Sequence, residues 1–220
     1  MPASIRAVVF DLDGLMFDTE ALFFRVSSEM VAARGKNFTP EIMRAMIGRR
    51  SVEAGYMLKS MTGLEEPIDV LLADVRQRFQ AEMETAVHPT PGLFHLLDRL
   101  GHHGLPLAVA TSSRRSYAAQ LLGQHRLLDR FQFVLGSEDV ARGKPDPEIY
   151  ITAIKRFDVP PRSVLVLEDS PAGVASGRAA GAYVVGVPHE YSPAQALRSA
   201  DLIVPRLDDP SLLNLFDHQP

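Results

Sequence analysis

The sequence contains no cysteine among its 220 residues. This absence excludes disulfide bonds, thiolate zinc sites, iron–sulfur clusters and a cysteine nucleophile. A cysteine-free composition is compatible with a reducing compartment. If the protein is an enzyme that uses a nucleophile, another residue type must supply it.

Excess charge and long apolar runs are also missing. The formal net charge is −4 at pH 7, from 23 basic and 27 acidic residues, and no long run carries a single sign. This balance argues against a protein that binds nucleic acid or a membrane surface through bulk charge. No apolar stretch approaches the ~20 residues of a membrane span, and the short apolar run at 7–10 does not resemble a secretory signal. We therefore expect a cytoplasmic protein with no nucleic-acid or membrane partner.

The chain does contain a regular alternation of two patterns. Hydrophobic residues make up 46% and charged residues 23%, as in ordinary globular domains. Short β-rich runs occur at 7–10, 107–110, 131–135, 163–167, 183–187 and 202–204. Helical patterns lie between them at 92–100, 115–123, 147–157 and 171–180. Because apolar runs of this kind are typical of strands buried on both faces, the alternation predicts an α/β fold with a Rossmann-like parallel sheet flanked by helices.

Residues 17–86 interrupt this alternation. Leu22, Val26 and Met30 repeat at four-residue steps, which is typical of an amphipathic helix. Thr39 and Pro40 resemble a helix N-cap followed by a first-turn proline. A βαβ unit needs only ~30 residues in all, so about 65 residues between the first two strands are surplus. We predict a helical domain inserted at 17–86 and a core domain formed by 1–16 and 87–220.

Polar residues follow three of the predicted strands, and a lysine lies in a loop before the helix that leads into one of them. The segments are 11–14, 111–113, 143–147 and 168–170. Each segment alone is typical of a turn or of a helix N-cap. In open parallel sheets, however, ligands bind at the carboxyl ends of the strands. We therefore expect these segments to converge on one crevice.

Such a cluster suits phosphoryl transfer. Clustered carboxylates repel one another unless a cation neutralises them, and oxygen ligands suit Mg²⁺, which also binds phosphate oxygens. Hydroxyls, amides at a helix start and the Lys144 ammonium are what an anionic phosphoryl group requires. A carboxylate such as Asp11 can attack phosphorus, and the Asp13 carboxyl can protonate the leaving oxygen and then activate water. The residues indicate Mg²⁺-assisted phosphoryl transfer through an aspartyl phosphate.

The four segments, in this order and spacing, resemble the four motifs of the haloacid dehalogenase-like hydrolase superfamily. Residues 8–14 resemble the first motif, 111–113 the second, 144–147 the third and 167–170 the fourth. The resemblance covers essentially the whole chain. The position of the helical insertion is similar to that of the four-helix cap in the β-phosphoglucomutase-like branch. The resemblance therefore implies an α/β core with an inserted, all-helical cap domain of four helices.

The resemblance also implies roles for residues at matching positions. Asp11 is expected to be the nucleophile, and Asp13 the general acid/base. Thr111 and the Ser112 amide are expected to bind the transferring phosphoryl group. Lys144 is expected to neutralise that group and to hold Asp11 in place.

The same resemblance implies a Mg²⁺ site. Its expected ligands are the carboxylates of Asp11 and Asp169, the backbone carbonyl of Asp13, and Glu168 either directly or through water. Two further residues, Ser170 and Asp146, are expected to lie behind these ligands.

Within the superfamily, the residues favour phosphate chemistry. Dehalogenase members are expected to lack the carboxylate of Asp13, because a halide leaving group needs no proton. Phosphonate-cleaving members need a cap lysine in a recognisable motif, and neither Lys36 nor Lys59 lies in one. Mutase-like relatives are expected to carry a histidine where this chain has Phe23. We predict a Mg²⁺-dependent phosphatase acting on a small phosphorylated metabolite such as a sugar phosphate, with a β-phosphoglucomutase-like sugar phosphomutase as the alternative.

A non-enzyme alternative is a phosphate-binding or regulatory module that kept the fold. Such a module is expected to have lost one of the acting residues, and none is missing. Arg49 and Arg50 fall between two predicted cap helices and resemble the specificity loop of the cap. A guanidinium there is expected to reach a substrate hydroxyl or a second anion, whereas solvated loop charges are the alternative interpretation. We expect a monomer or a weak homodimer.

Overall fold

The computed structural model describes residues 4–217 and contains a six-stranded parallel sheet. The strands are β1 (Ala7–Phe10), β2 (Leu107–Ala110), β3 (Phe133–Leu135), β4 (Val164–Glu168), β5 (Tyr183–Gly186) and β6 (Leu202–Ile203). Their order across the sheet is β3-β2-β1-β4-β5-β6, and every neighbouring pair is parallel. The predicted parallel α/β fold is confirmed.

Residues 4–217 also form nine α-helices. They are α1 (Glu20–Ala32), α2 (Pro40–Met46), α3 (Ser51–Thr62), α4 (Ile68–Ala86), α5 (Leu93–His102), α6 (Arg115–Gln124), α7 (Glu148–Phe157), α8 (Pro171–Ala179) and α9 (Pro210–Asp217). None of these helices is long and apolar enough to cross a membrane.

The sheet separates two apolar layers because successive side chains of a strand point to opposite faces. Val8 and Phe10 of β1 belong to the larger hydrophobic cluster, which also contains buried residues of α5, α6 and α9. Ala7 and Val9 belong to the second cluster, which contains buried residues of α7 and α8. The strands are therefore covered on both faces, which explains their nearly continuous apolar sequences.

Helices α1–α4, here called the cap helices, all lie between β1 and β2 in the sequence. Helix α4 packs against both α1 and α3, and α2 packs against α3. Thr39 caps α2 as predicted, with its side chain accepting a hydrogen bond from the Ile42 amide at 3.5 Å. The division into a core domain (1–16 and 87–220) and a cap domain (17–86) stays a prediction.

The structure differs from the predicted elements mainly at edges. The run at 131–135 begins its strand only at Phe133, because a 3₁₀ turn at Leu128–Arg130 precedes it. Helix α9 lies in a tail that shows little sequence pattern. It exists because Leu212 and Phe216 are fully buried in the larger cluster, while the Asp209 carboxylate accepts the Ser211 amide at its start at 2.8 Å.

Candidate active site

The strand order has a topological switch point between β1 and β4, at the centre of the sheet. Strands β1, β2 and β3 extend to one side, while β4, β5 and β6 extend to the other. Asp11 follows β1 and Asp169 follows β4, so both lie at this switch point. In open α/β sheets this crevice is where ligands bind. The topology thus brings together the two carboxylates that the sequence predicts as metal ligands.

Lys144 lies beneath Asp11 and connects three elements. Its side chain is only 1% exposed. Its ammonium donates to Asp11 Oδ1 at 2.5 Å, to Glu168 Oε1 at 2.6 Å and to the Ala110 carbonyl at 3.0 Å. These three acceptors use all three donors of the ammonium. Lys144 therefore fixes the Asp11 carboxylate relative to the ends of β2 and β4.

Glu168 is fully buried, and both its oxygens are engaged. Oε1 accepts from Lys144 and from the Tyr150 hydroxyl at 2.5 Å. Oε2 accepts from the hydroxyl and the amide of Ser170 at 3.0 and 3.2 Å. Ser170, in turn, caps α8 by accepting the Gly173 amide at 3.0 Å. The carboxylate is therefore held rigidly behind Asp11.

Asp13 belongs to a separate set of hydrogen bonds. Its Oδ1 accepts from the Tyr117 hydroxyl at 2.9 Å, and its Oδ2 accepts from the Ser113 hydroxyl at 2.7 Å. The Thr111 hydroxyl lies 3.4 Å from Oδ2. Ser112 lies beside this group and donates to the Gly48 carbonyl of the cap at 3.0 Å. The structure thus places three hydroxyl residues of the segment between β2 and α6, together with Tyr117 of α6, around Asp13 and the crevice.

Two polar residues that sequence reasoning missed also reach the crevice. Glu20, at the start of α1, is buried, and its Oε2 has no hydrogen-bond partner among the described residues. His189 Nε2 lies 3.0 Å from Asp169 Oδ2. An acidic residue in the first turn of a helix is typically a solvated complement to the helix dipole. Only the tertiary structure shows that Glu20 points inward.

The carboxylates of the crevice perturb one another. Burial raises the pKa of Asp11 well above its usual value, and Glu168 and Asp169 add to this rise while Lys144 opposes it. Burial likewise raises the pKa of Glu20, with Asp169, Asp13 and Asp11 contributing. Burial lowers the pKa of Lys144, but its contacts with Asp11 and Glu168 outweigh that effect and hold it well above its usual value. Such an excess of negative charge is relieved by a bound cation.

The donor set fits a hard divalent cation. Carboxylate oxygens of Asp11, Glu168 and Asp169 all lie within 4.8 Å of one another, as do ligand atoms of Glu20, Asp169 and His189. Within residues 4–217, one lysine balances the first group, and Glu20 Oε2 remains without a hydrogen-bond partner. Oxygen ligands of this kind suit Mg²⁺. Because Glu168 already has four hydrogen bonds, Asp11 and Asp169 have more free acceptor capacity towards a cation.

A cavity of about 430 Å³ lies between the crevice and the cap helices. Asp11, Asp13, Glu20 and Asp169 line it on the core side and at the start of α1. The cap helices and the residue that follows α2 contribute mainly apolar side chains, which are Phe23, Met43, Met46, Ile47, Ala54, Leu72, Val75 and Phe79. Three arginines also line the cavity: Arg49, Arg76 and Arg114. This volume falls in the range of small-molecule sites.

The structure separates the two arginines that were predicted together. Arg49 lines the cavity, although its Nε donates to the Ala45 carbonyl at 3.0 Å. Arg50 does not line it. Its guanidinium instead donates to the carbonyls of Ser137, Val140 and Ala141 at 2.8, 2.5 and 2.9 Å. Arg50 thus joins the start of α3 to the segment that follows β3, where its two terminal nitrogens are engaged.

Asp146 also lies away from the cavity. Its carboxylate accepts the Glu148 amide at the start of α7 at 3.1 Å and pairs with Arg142 at 3.1 Å. Ser170 supports Glu168 and touches the cap, where a β-carbon at Gly48 would approach its hydroxyl to 2.5 Å. Ser170 therefore supports the carboxylate cluster through Glu168, whereas Asp146 lies at a helix start.

Comparison with known proteins agrees with this geometry. Residues 8–187 match the family model described as haloacid dehalogenase-like hydrolase. A phosphorylated carbohydrates phosphatase of Thermotoga maritima is 29% identical over 200 residues, covering 90% of this chain and 93% of that protein. A validoxylamine A 7'-phosphate phosphatase of Streptomyces hygroscopicus is 31% identical, covering 93% and 95%.

Solved structures give the same result. The crystal structure of CbbY from Rhodobacter sphaeroides in complex with phosphate superimposes with a TM-score of 0.79 at 26% identity, covering 97% of this chain and 99% of that one. The chain belongs to the haloacid dehalogenase-like hydrolase family. These relatives support its assignment as a phosphoric monoester hydrolase of that family.

Proposed function

We propose that this enzyme hydrolyses phosphate monoesters of small metabolites in a Mg²⁺-dependent reaction that passes through an aspartyl phosphate on Asp11. One observation carries the proposal: the Asp11 carboxylate lies on the cavity wall, held by Lys144 at 2.5 Å, beside Asp13 and Asp169. The proposed nucleophile, acid/base and metal ligand thus line one cavity. Fixed charges and dipoles that line such a cleft interact with a bound phosphoryl group more strongly than they would in bulk water.

Asp11 and Asp169 would hold Mg²⁺ with their carboxylates, together with the Asp13 backbone carbonyl. Glu168 supports this site from behind through Lys144 and Ser170. Mg²⁺ held there would supply positive charge that offsets the repulsion between an anionic substrate and the surrounding carboxylates. Lys144 contributes a second positive charge at the Asp11 oxygen.

In the first half-reaction, a carboxylate oxygen of Asp11 attacks phosphorus. A bond forms between that oxygen and phosphorus while the ester P–O bond breaks. The protonated Asp13 carboxyl gives its proton to the leaving oxygen, so that an alcohol departs rather than an alkoxide. Thr111 and the Ser112 amide hold the phosphoryl oxygens during the transfer.

In the second half-reaction, water attacks the phosphorus of the aspartyl phosphate. The Asp13 carboxylate takes a proton from this water, the bond between Asp11 and phosphorus breaks, and inorganic phosphate leaves. Asp11 returns as a carboxylate and Asp13 as a carboxylic acid, so both residues are ready for another cycle.

The cavity supports a leaving group of about sugar size. Its apolar cap wall suits carbon-bound surfaces, while Arg49, Arg76 and Arg114 suit hydroxyls or a second anion. Phe23 lines the cavity at the position where mutase-like relatives are expected to carry a histidine. A phenyl group offers no proton donor or acceptor for a sugar acceptor. This feature favours water over a second sugar as the acceptor.

The test is phosphate release from a panel of sugar phosphates and from p-nitrophenyl phosphate. We expect turnover that requires Mg²⁺, stops with EDTA and falls by about 10³-fold or more in Asp11→Asn, since removal of a nucleophile costs at least this much. Asp129→Asn serves as the matched control, because Asp129 is exposed and remote from the cavity. Wild-type rates in Asp11→Asn would contradict the covalent mechanism. A hexose 1-phosphate converted to its 6-phosphate would instead support the mutase.

A further inference from the structure

We propose that Tyr117 is a positioning residue that orients the Asp13 carboxyl for proton transfer, and that helix α4 of the cap holds Tyr117 in place. This inference rests on the proposed role of Asp13 as general acid/base. Tyr117 lies in α6 and carries no part of the motifs that the sequence analysis used. Its position beside Asp13 is visible only in the folded protein.

The hydrogen bonds around Asp13 restrain both of its oxygens. Tyr117 donates to Oδ1 at 2.9 Å, and Ser113 donates to Oδ2 at 2.7 Å. Lys144, which fixes Asp11 and Glu168, does not reach Asp13. The hydroxyls from the β2–α6 segment therefore set the rotation of the Asp13 carboxyl. Without the phenol, only hydroxyls on the Oδ2 side would restrain it.

The two oxygens have different kinds of partner. Oδ1 accepts from the Tyr117 phenol, whereas Oδ2 accepts from the Ser113 hydroxyl and lies near the Thr111 hydroxyl. Each of these hydroxyl groups can accept a hydrogen bond as well as donate one, so they can hold the Asp13 carboxyl in place in either protonation state.

The cap contacts Tyr117 through an aromatic pair. The ring of Phe79, in α4, meets the Tyr117 ring edge-on, with centroids 6.2 Å apart and planes at 65°. Both residues line the cavity. Phe79 belongs to the cap helices and Tyr117 to α6 of the core, so this pair joins the cap to the carboxyl that transfers the proton. Edge-on pairs of this kind favour a defined ring position.

The experiment compares two substrates of similar size that differ in their need for an acid. Phenyl phosphate releases phenol, whose pKa is about 10 as in tyrosine, whereas p-nitrophenyl phosphate releases an anion that leaves readily without a proton. For Tyr117→Phe we expect kcat/KM to fall about 10-fold or more for phenyl phosphate, and less than about 3-fold for p-nitrophenyl phosphate, because general acid catalysis contributes about 10²–10⁴-fold.

Three further variants make the result interpretable. Asp13→Asn should show the same substrate selectivity with a larger loss of kcat/KM. Phe79→Leu should show a weaker selectivity, because this variant keeps the Tyr117 phenol but holds it less firmly. Tyr56→Phe is the matched control, because Tyr56 is 62% exposed and lies outside the cavity. Its kcat/KM should be unchanged for both substrates. Thermal unfolding of each variant, measured alongside, reports whether the fold is retained.

Each outcome decides one point. If Tyr117→Phe lowered kcat/KM equally for both substrates, or not at all, the positioning role would be overturned. The proposed function would still stand in that case, provided that Asp13→Asn lowered kcat/KM more for phenyl phosphate than for p-nitrophenyl phosphate. An Asp13→Asn variant without selectivity would overturn the acid/base role and the inference that rests on it. Wild-type behaviour of Phe79→Leu, alongside a selective Tyr117→Phe, would overturn the link to the cap alone.

Discussion

At the scale of single residues, two glycines allow the carboxylates of the site to crowd together. A β-carbon at Gly173 would lie 1.7 Å from Glu168 Oε1, and one at Gly14 would lie 2.4 Å from Asp169 Oδ2. Gly14 also has a φ of +79°, a conformation that other residues rarely adopt. The backbone therefore passes directly against the acids, which is possible only where no side chain is present.

Replacing Gly173 by alanine should destabilise the protein, which is the opposite of the usual effect of a glycine-to-alanine change in a helix. Alanine in a helix is ordinarily more stable than glycine by about 1 kcal/mol. Here it must displace the Glu168 carboxylate from Lys144 and Tyr150, and a disrupted buried pair costs about 3 kcal/mol or more. We expect Gly173→Ala to lower the free energy of unfolding in urea by about 2 kcal/mol or more and to reduce activity.

A matched control lies on α6. A β-carbon at Gly123 meets nothing within 4 Å, so Gly123→Ala should raise the free energy of unfolding by about 0.5–1 kcal/mol. If Gly173→Ala proved as stable as Gly123→Ala, the inference that Glu168 leaves no room for a side chain at position 173 would be refuted.

At the scale of secondary structure elements, Asp201 joins α8, β5 and the entry to β6. Its Oδ2 accepts the Val184 amide at 2.9 Å, and its Oδ1 pairs with Arg178 and, at 3.4 Å, with Arg162. Burial acts to raise the pKa of Asp201, but these bonds outweigh burial and lower it. The carboxylate thus ties the edge of the sheet to the helix above it.

Removing this charge should cost stability in a pH-dependent manner. A group whose pKa is lowered on folding stabilises the protein above its unfolded pKa, about 3.9 for aspartate, and that stabilisation is lost as pH falls through the folded pKa. We expect Asp201→Asn to lower the free energy of unfolding by about 1–3 kcal/mol at pH 7. The difference in this free energy between the variant and wild type should become smaller below about pH 4. Denaturation at several pH values measures this. A difference that stays constant with pH would refute the assigned role.

The elements also show what the sequence could reveal. Strands β1 and β2 coincide with their predicted ranges, because strands covered on both faces read as unbroken apolar runs. Helix α9 was missed because only two of its eight residues, Leu212 and Phe216, are buried.

The same contrast holds for the site. Asp11 and Asp169 directly follow strands, where topology alone predicts their position. Glu20, Tyr117 and His189 lie within helices or a loop, and their inward orientation depends on how distant segments pack. No local pattern records such packing, so sequence reasoning could not find them.

At the scale of the whole molecule, the cap helices contact the part of the chain that carries the sheet at specific residues. Arg50 donates to three core carbonyls. Gly48 accepts from Ser112 and lies so close to Ser170 that a side chain there would collide with it. These contacts hold the cap helices next to the cavity. Closure of a segment over a site is a common way to exclude water from a reaction.

Arg50→Ala should therefore weaken the attachment of the cap helices to the rest of the chain, without removing a side chain that lines the cavity. We expect kcat/KM to fall about 10-fold for every substrate, since misplacement by a distant change is costly. Small-angle scattering with Mg²⁺ and a substrate analogue should show a larger radius of gyration than for wild type. Arg44→Ala, at an exposed cap position with a surface ion pair, is the control. Unchanged kinetics and scattering for Arg50→Ala would show that these bonds do not hold the cap.

We expect Asp11 to become covalently phosphorylated during turnover. To test this, the enzyme is quenched with substrate and Mg²⁺ present, reduced with borohydride and analysed by peptide mapping with mass spectrometry. Because borohydride reduces an acyl phosphate to an alcohol, we predict homoserine at position 11, absent without substrate and absent in Asp11→Asn. Efficient turnover with no reduction at position 11, or with reduction at another residue instead, would contradict the covalent mechanism.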